Sequence, residues 1–165
     1  MGAQPMVQLL IATMMVTLTV LIHLGGLSAL LEIMQQHRRR ARFGTGLIKQ
    51  SPAILLAAFG LFALHTLEIW GYAVLYLLLH ALSDFEEALY FSTTTYTTLG
   101  YGDLVLPRAW RILGAIEAAN GLILLGWSTA FFVSIVDEIR KIEAAADGEG
   151  RPPEGKREAP PRDGD

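Results

Sequence analysis

Residues Thr94 to Asp103 read Thr-Thr-Tyr-Thr-Thr-Leu-Gly-Tyr-Gly-Asp, and the chemistry they offer is that of the backbone. In Thr98-Leu99-Gly100-Tyr101-Gly102 the glycines accept the positive φ that side chains forbid, so the run can extend with its carbonyls on one side. Four such strands around one axis would stack rings of oxygens able to replace the water around a dehydrated alkali cation. The run lies between two stretches apolar enough to cross a bilayer, where irregular backbone is tolerated only if protein surrounds it.

Three more polar residues lie within apolar stretches and need a reason to be there. Glu68, Glu117 and Asn120 would sit at membrane depth, where a carboxylate costs about 2.5–3.5 kcal/mol and usually faces protein or water. Glu117 lies eight residues inside the last apolar stretch, at the depth expected of a short helix before Thr98, and is expected to hydrogen-bond that helix from behind; a neutral acid packing helices together is the alternative. His65 and Glu68 are three apart and share a helical face, which makes them a candidate proton sensor or a satisfied structural contact. His80 is expected at the outer interface and His23 as a polar helix contact.

The elements that must hold these residues are helices. The 165 residues are 52% hydrophobic, which is too apolar for an ordinary small soluble domain. Apolar runs at Met6 to Met34, Pro52 to His80 and Ala109 to Val136 each exceed the roughly 20 residues needed to cross about 30 Å of hydrocarbon. No lysine or arginine precedes Arg38, and the first run is longer than a signal-peptide core, so it is read as a retained span. Arg38, Arg39, Arg40, Arg42 and Lys49 crowd the first connector, which the positive-inside rule makes cytoplasmic. The N-terminus and the Thr98 to Gly102 segment then face outside, and the tail after Asp137 faces the cytoplasm. Asp84, Glu86, Glu87 and Asp103 outweigh Arg108 on that outer side and would concentrate cations there.

Local signals refine the boundaries. Ser51-Pro52 has the form of an N-cap followed by proline at the first helical position. Ser83-Asp84-Phe85-Glu86 has the form of a capping box that opens a helix too short to span, hence re-entrant. The chain divides into 1–36 (outer end and first span), 37–50 (basic connector), 51–137 and a largely disordered tail, 138–165. Within 51–137 come an outer helix 52–80, a short helix 84–97, the carbonyl segment 98–103 and an inner helix 109–137. There is no cysteine, no nucleotide or nucleic-acid motif and no constellation for covalent catalysis, so the chain is read as a non-enzyme.

A helix, a re-entrant helix, Thr-x-Gly-Tyr-Gly-Asp and a second helix resemble the potassium-channel pore domain, most closely the small prokaryotic two-helix type, over roughly residues 52–137. The first span departs from that minimal pattern. The resemblance implies an all-α membrane protein that assembles as a fourfold homotetramer in a prokaryotic plasma membrane and conducts K+ passively, with no cofactor. It implies that the carbonyls of Thr98, Leu99, Gly100 and Tyr101 and the Thr98 hydroxyl line the K+ sites, while Gly102 lets the strand turn outward. Leu99 stands where many relatives carry valine. Tyr90 and Phe91 fall where many relatives place filter-bracing tryptophans, and their alternative role is plain packing. Thr94 falls where some relatives carry a glutamate paired with the filter aspartate, here Asp103, so that carboxyl pair is missing. Gly114, Gly121 and Gly126 lie on the inner helix that would carry the gate, Gly121 nearest the usual hinge, with close helix packing as the alternative.

Arg38, Arg39, Arg40 and Arg42 could also hold anionic lipid headgroups, at about 1 kcal/mol each. No arginine ladder marks a voltage sensor, and the tail is too polar to fold as a ligand-gating domain. A weakly selective cation pore, and a potassium-transporter or regulatory membrane subunit, are the other readings.

Overall fold

The computed structural model describes residues 3–40 and 47–149, and the regular secondary structure among them is all helical. Helix α1 runs Ala3–Arg40, α2 Leu47–Leu78, α3 Phe85–Tyr96 and α4 Arg111–Glu149. Three segments are long and apolar enough to cross a membrane: Gln4–Gln36, Ile54–Leu78 and Arg111–Glu138. The short α3 packs between α2 and α4, and α1 lies against both long helices.

Polarity is distributed as a bilayer demands. Gln8, Thr19, His23, Glu68, Ser92, Glu117, Asn120 and Ser128 are buried, whereas Leu10, Met14, Phe59, Phe62, Leu78 and Leu122 are exposed. Hydrocarbon accepts the apolar side chains but cannot hydrogen-bond the polar ones, so the polar groups must find each other inside. Exposed hydroxyls on the long helices bond back to their own backbone, as Thr13 does to the Leu9 carbonyl at 2.8 Å. Small residues let α1 and α2 approach closely: a Cβ on Gly26 would lie 2.5 Å from Leu64 Cδ1, and one on Gly60 would lie 2.8 Å from Leu30 Cδ1.

The helix ends correct several boundaries. Helix α1 continues through Arg40 and α2 is already helical at Leu47, so the basic connector shrinks: Arg38 to Arg40 belong to a helix, and Arg42 lies outside the described residues. Ser51 is inside α2, which starts at Leu47, four residues before that signal. At the other end α2 stops at Leu78 rather than His80. His80 takes φ 51°, its N–H bonds the Leu77 carbonyl and that of Ala81 bonds Tyr76, both at 2.9 Å, which is a Schellman stop with histidine in the left-handed position. The capping box is displaced by one residue: Asp84 is the N-cap of α3 and accepts from the Glu87 N–H at 2.9 Å, while the Ser83 hydroxyl donates to the Glu87 carboxylate. Finally, α4 does not end at 137 but continues to Glu149, because Asp137 to Ala146 is rich in strong helix formers. The remainder of the expected disordered tail, 150–165, lies outside the described residues.

Candidate functional site

The short helix α3 aims its C-terminus at the glycine-containing run. The Thr97 N–H bonds the Thr93 carbonyl at 3.1 Å, that of Thr98 bonds Thr95 at 2.9 Å, and that of Gly100 reaches back to Thr94 at 3.0 Å. Thr98, Gly100 and Gly102 have φ of 60°, 50° and 78°, while the intervening Leu99 and Tyr101 stay out of positive φ. A backbone whose φ alternates in sign residue by residue is one that can present successive carbonyls on one side. Two of the three positions are glycine, as that backbone requires. At the third, β-branched Thr98 occupies a region costing about 1–3 kcal/mol, a conformation that persists only where the surroundings impose it.

The run is tied at its C-terminal end. The Tyr90 phenol donates to Asp103 Oδ2 at 2.8 Å, and Asp103 Oδ1 accepts from the Leu104 N–H at 3.0 Å. The phenol's hydrogen bond holds the Asp103 carboxyl below the usual carboxylate range, and the same bond raises the Tyr90 phenol above its ordinary value. Phe91 turns the other way: it is buried, and its ring meets Tyr76 edge-on at 5.3 Å. Thr94 turns its hydroxyl to the Phe91 carbonyl at 3.0 Å rather than to Asp103. Thus Tyr90 is hydrogen-bonded to the residue that follows the run, and Phe91 packs in the interior. A recess of about 550 Å³ beside the strand, lined by Thr95, Thr98, Gly100, Val105 and Ala118 among others, leaves the flank of the run uncovered in a single chain.

Behind α3 stands Glu117. Its side chain is completely buried and accepts from the Tyr76 hydroxyl on one oxygen and the Ser92 hydroxyl on the other, each at 2.5 Å. Ser92 is on α3, so this carboxyl joins α2, α3 and α4. Asn120, one turn further along α4, donates its amide to Thr19 Oγ1 on α1 at 2.8 Å and to the Tyr72 hydroxyl on α2 at 3.2 Å.

At Gly121, α4 packs directly against the end of α3. A Cβ there would lie 2.8 Å from Tyr96 Cγ and inside the van der Waals envelope of the Tyr96 carbonyl oxygen. At Gly114 a Cβ would meet Leu106 at 3.1 Å and Phe91 at 3.3 Å, whereas Gly126 has open space. Of the three hinge candidates, two therefore have a packing duty and one does not.

His65 and Glu68 do meet, at 3.2 Å, but within a larger group. Glu68 is buried and also takes His23 Nδ1 of α1 at 2.9 Å and the hydroxyl of Tyr96, the last residue of α3. His65 Nδ1 lies 3.0 Å from the Tyr96 hydroxyl, and its Nε2 lies 2.8 Å from Ser128 Oγ on α4. Sequence reasoning passed over Tyr76, Ser92, Tyr96 and Ser128, and gave His23 no partner. The available signal was the rarity of polar side chains within spans, where each one needs a mate.

Compared with known families, residues 54–138 match the model of a family described as an ion channel. No curated protein and no solved structure matches the chain.

Proposed function

Since the chain belongs to the ion channel family, we propose that this multi-pass membrane protein is a potassium-selective channel in which Thr98 to Gly102 of four chains form the filter. The observation that carries the reading is the alternation of φ at Thr98, Gly100 and Gly102, which suits a strand that offers carbonyl oxygens to one axis. Around that axis, the carbonyls of Thr98, Leu99, Gly100 and Tyr101 take the place of water on K+. The C-terminal end of α3, bearing roughly half a negative charge, favours a cation in the cavity below. A neighbouring chain fills the recess beside the strand, which is why the flank is open in one copy. In this reading residues 52–137 form the pore domain, with the N-terminus outside and the C-terminus cytoplasmic in a prokaryotic plasma membrane. Arg38 to Arg40 then lie near the inner leaflet, where anionic headgroups are their partners. Gly126, free of packing duty, is the best hinge candidate.

The test is recording from the purified protein alone in planar bilayers under K+ and Na+ gradients. A reversal potential that follows the K+ gradient, lost in Gly100→Ala, supports the reading. Equal permeation of the two ions would favour the weakly selective pore. An absence of flux without a partner or energy source would favour a transporter subunit.

A further inference from the structure

We propose that His23, His65 and Glu68, with the Tyr96 hydroxyl beside them, form a binding site for a divalent first-row transition metal ion held between α1 and α2. The ligand types suit such an ion: two imidazoles and a carboxylate favour zinc and its neighbours over magnesium or calcium, which prefer oxygen alone. The three side chains offer ligand atoms that all lie within 4.8 Å of one another. Tetrahedral zinc, with bonds of roughly 2.0–2.2 Å, separates its ligands by about 3.3 Å. His23 Nδ1 lies 2.9 Å from Glu68 Oε1, while His65 Nδ1 lies 3.2 Å from Glu68 Oε2 and 3.0 Å from the Tyr96 hydroxyl, each near that edge, so Glu68 would face the ion with both carboxylate oxygens.

A hydrogen count points the same way. Six pairs of polar atoms lie within hydrogen-bond reach: His23 with Glu68, His65 with Glu68, His65 with Tyr96, Tyr96 with Glu68, and Ser128 with each histidine, at 2.8 Å to His65 and 3.4 Å to His23. Neutral imidazoles, one phenol and one serine supply only four hydrogens, one each from His23, His65, Tyr96 and Ser128. With both imidazoles neutral, two pairs are left with lone pair facing lone pair beside a buried carboxylate, so the group calls for one added positive charge, carried by a proton on a histidine or by a bound cation. One cation among the two Nδ1 atoms, the carboxylate and the phenol oxygen serves all four pairs of that quartet at once. The two remaining pairs are then completed by Nε2–H groups of both histidines, which donate into the two lone pairs of Ser128 Oγ. That is the usual supporting arrangement for a metal-bound imidazole. The ion would fasten α1 to α2 and to Tyr96, two residues before Thr98, giving the first helix a controlling grip on the carbonyl strand.

The site can be tested without reference to conduction. Full-length, tag-free protein in detergent is dialysed against chelator, titrated with ZnSO4, and followed by retained metal and thermal midpoint, with CoCl2 as a spectroscopic probe. The site predicts about one zinc per chain, a raised midpoint and tetrahedral cobalt absorption bands. His23→Gln and His65→Gln should each weaken zinc binding at least tenfold, Ser128→Ala should weaken it roughly 10–100-fold without removing a ligand, and the exposed His80→Gln should leave it unchanged. Ser128→Ala keeps the test decisive if a histidine variant fails to fold. Zinc retention by wild type that is absent, or that is indistinguishable from the histidine and Ser128 variants, overturns the proposal.

Discussion

Gly121→Ala separates two uses of one glycine by the sign of its effect. If Gly121 serves only to let α4 bend, alanine removes the flexible residue from a helix interior and stabilises it by about 1 kcal/mol. The structure argues for the opposite sign. The new methyl carbon would stand 2.8 Å from Tyr96 Cγ and closer still to its carbonyl oxygen. Tyr96 cannot swing aside, because its phenol is hydrogen-bonded to Glu68 and its backbone closes the end of α3. Overpacking a site that cannot relax costs about 1–3 kcal/mol, and here backbone as well as side chain must move, which places the penalty at the upper end. The net expectation is a loss of about 1–2 kcal/mol, equivalent to roughly 2–4 °C per kcal/mol for a chain of this size. Gly126→Ala, facing open space, should leave the midpoint unchanged or raise it. Thermal unfolding of the detergent-purified wild type and both variants makes the comparison. A Gly121→Ala protein as stable as wild type, or more so, would refute the packing argument.

Other substitutions probe the same scaffold. Glu117→Gln can keep its amide oxygen on Tyr76 and turn its nitrogen to Ser92, whose hydroxyl also reaches the Ile69 carbonyl at 3.0 Å, so it should cost no more than about 1 kcal/mol in thermal unfolding while making single-channel openings less steady. Tyr90→Phe should raise the Asp103 pKa towards the ordinary carboxylate value, measurable by NMR titration. The folded carboxyl is depressed, so its contribution is present above the unfolded value and disappears as pH falls through the folded one, and the variant should lose it at higher pH than wild type. Asn120→Leu removes the amide that ties Thr19 of α1 and Tyr72 of α2 to α4, leaving Thr19 its bond to the Met15 carbonyl, and should loosen α1, seen as faster proteolysis of the α1–α2 connection in liposomes.

Much of the architecture was written in composition. Length and apolarity alone located α1, α2 and α4, and Thr98 to Gly102 drew attention to the segment where positive φ occurs. Helix ends were harder, because Ser51-Pro52 and Ser83 carry capping chemistry that neighbouring residues override: Asp84 competes with Ser83 for the same role one position on. Partnerships were hardest. Glu117 was expected behind the short helix, yet nothing local identified Ser92 and Tyr76 as its donors, and Asn120 meets Thr19 across 101 residues. Such pairs depend on the rotation of each helix about its axis, which a uniformly apolar span does not encode.

The first helix shows why. Its inward face carries Gln8, Ala12, Met15, Thr19, His23, Gly26, Leu30 and Met34, a stripe spaced by threes and fours. In a soluble protein that stripe would be the apolar one. Here its outward neighbours, Leu10, Met14, Leu18 and Leu21, are at least as apolar, so a search for hydrophobic periodicity finds no face. The polar members fix the phase: Gln8 accepts from the Ile112 N–H at 3.1 Å, at the otherwise uncapped start of α4, Thr19 accepts from Asn120, and His23 meets Glu68. Each gives a polar group of the two long helices a partner on α1, in addition to the partners that Glu68 finds in His65 and Tyr96 and Asn120 finds in Tyr72. By that measure α1 is part of the machinery: the residues that hold it are the same ones that let α2 and α4 carry polar side chains beside the carbonyl strand.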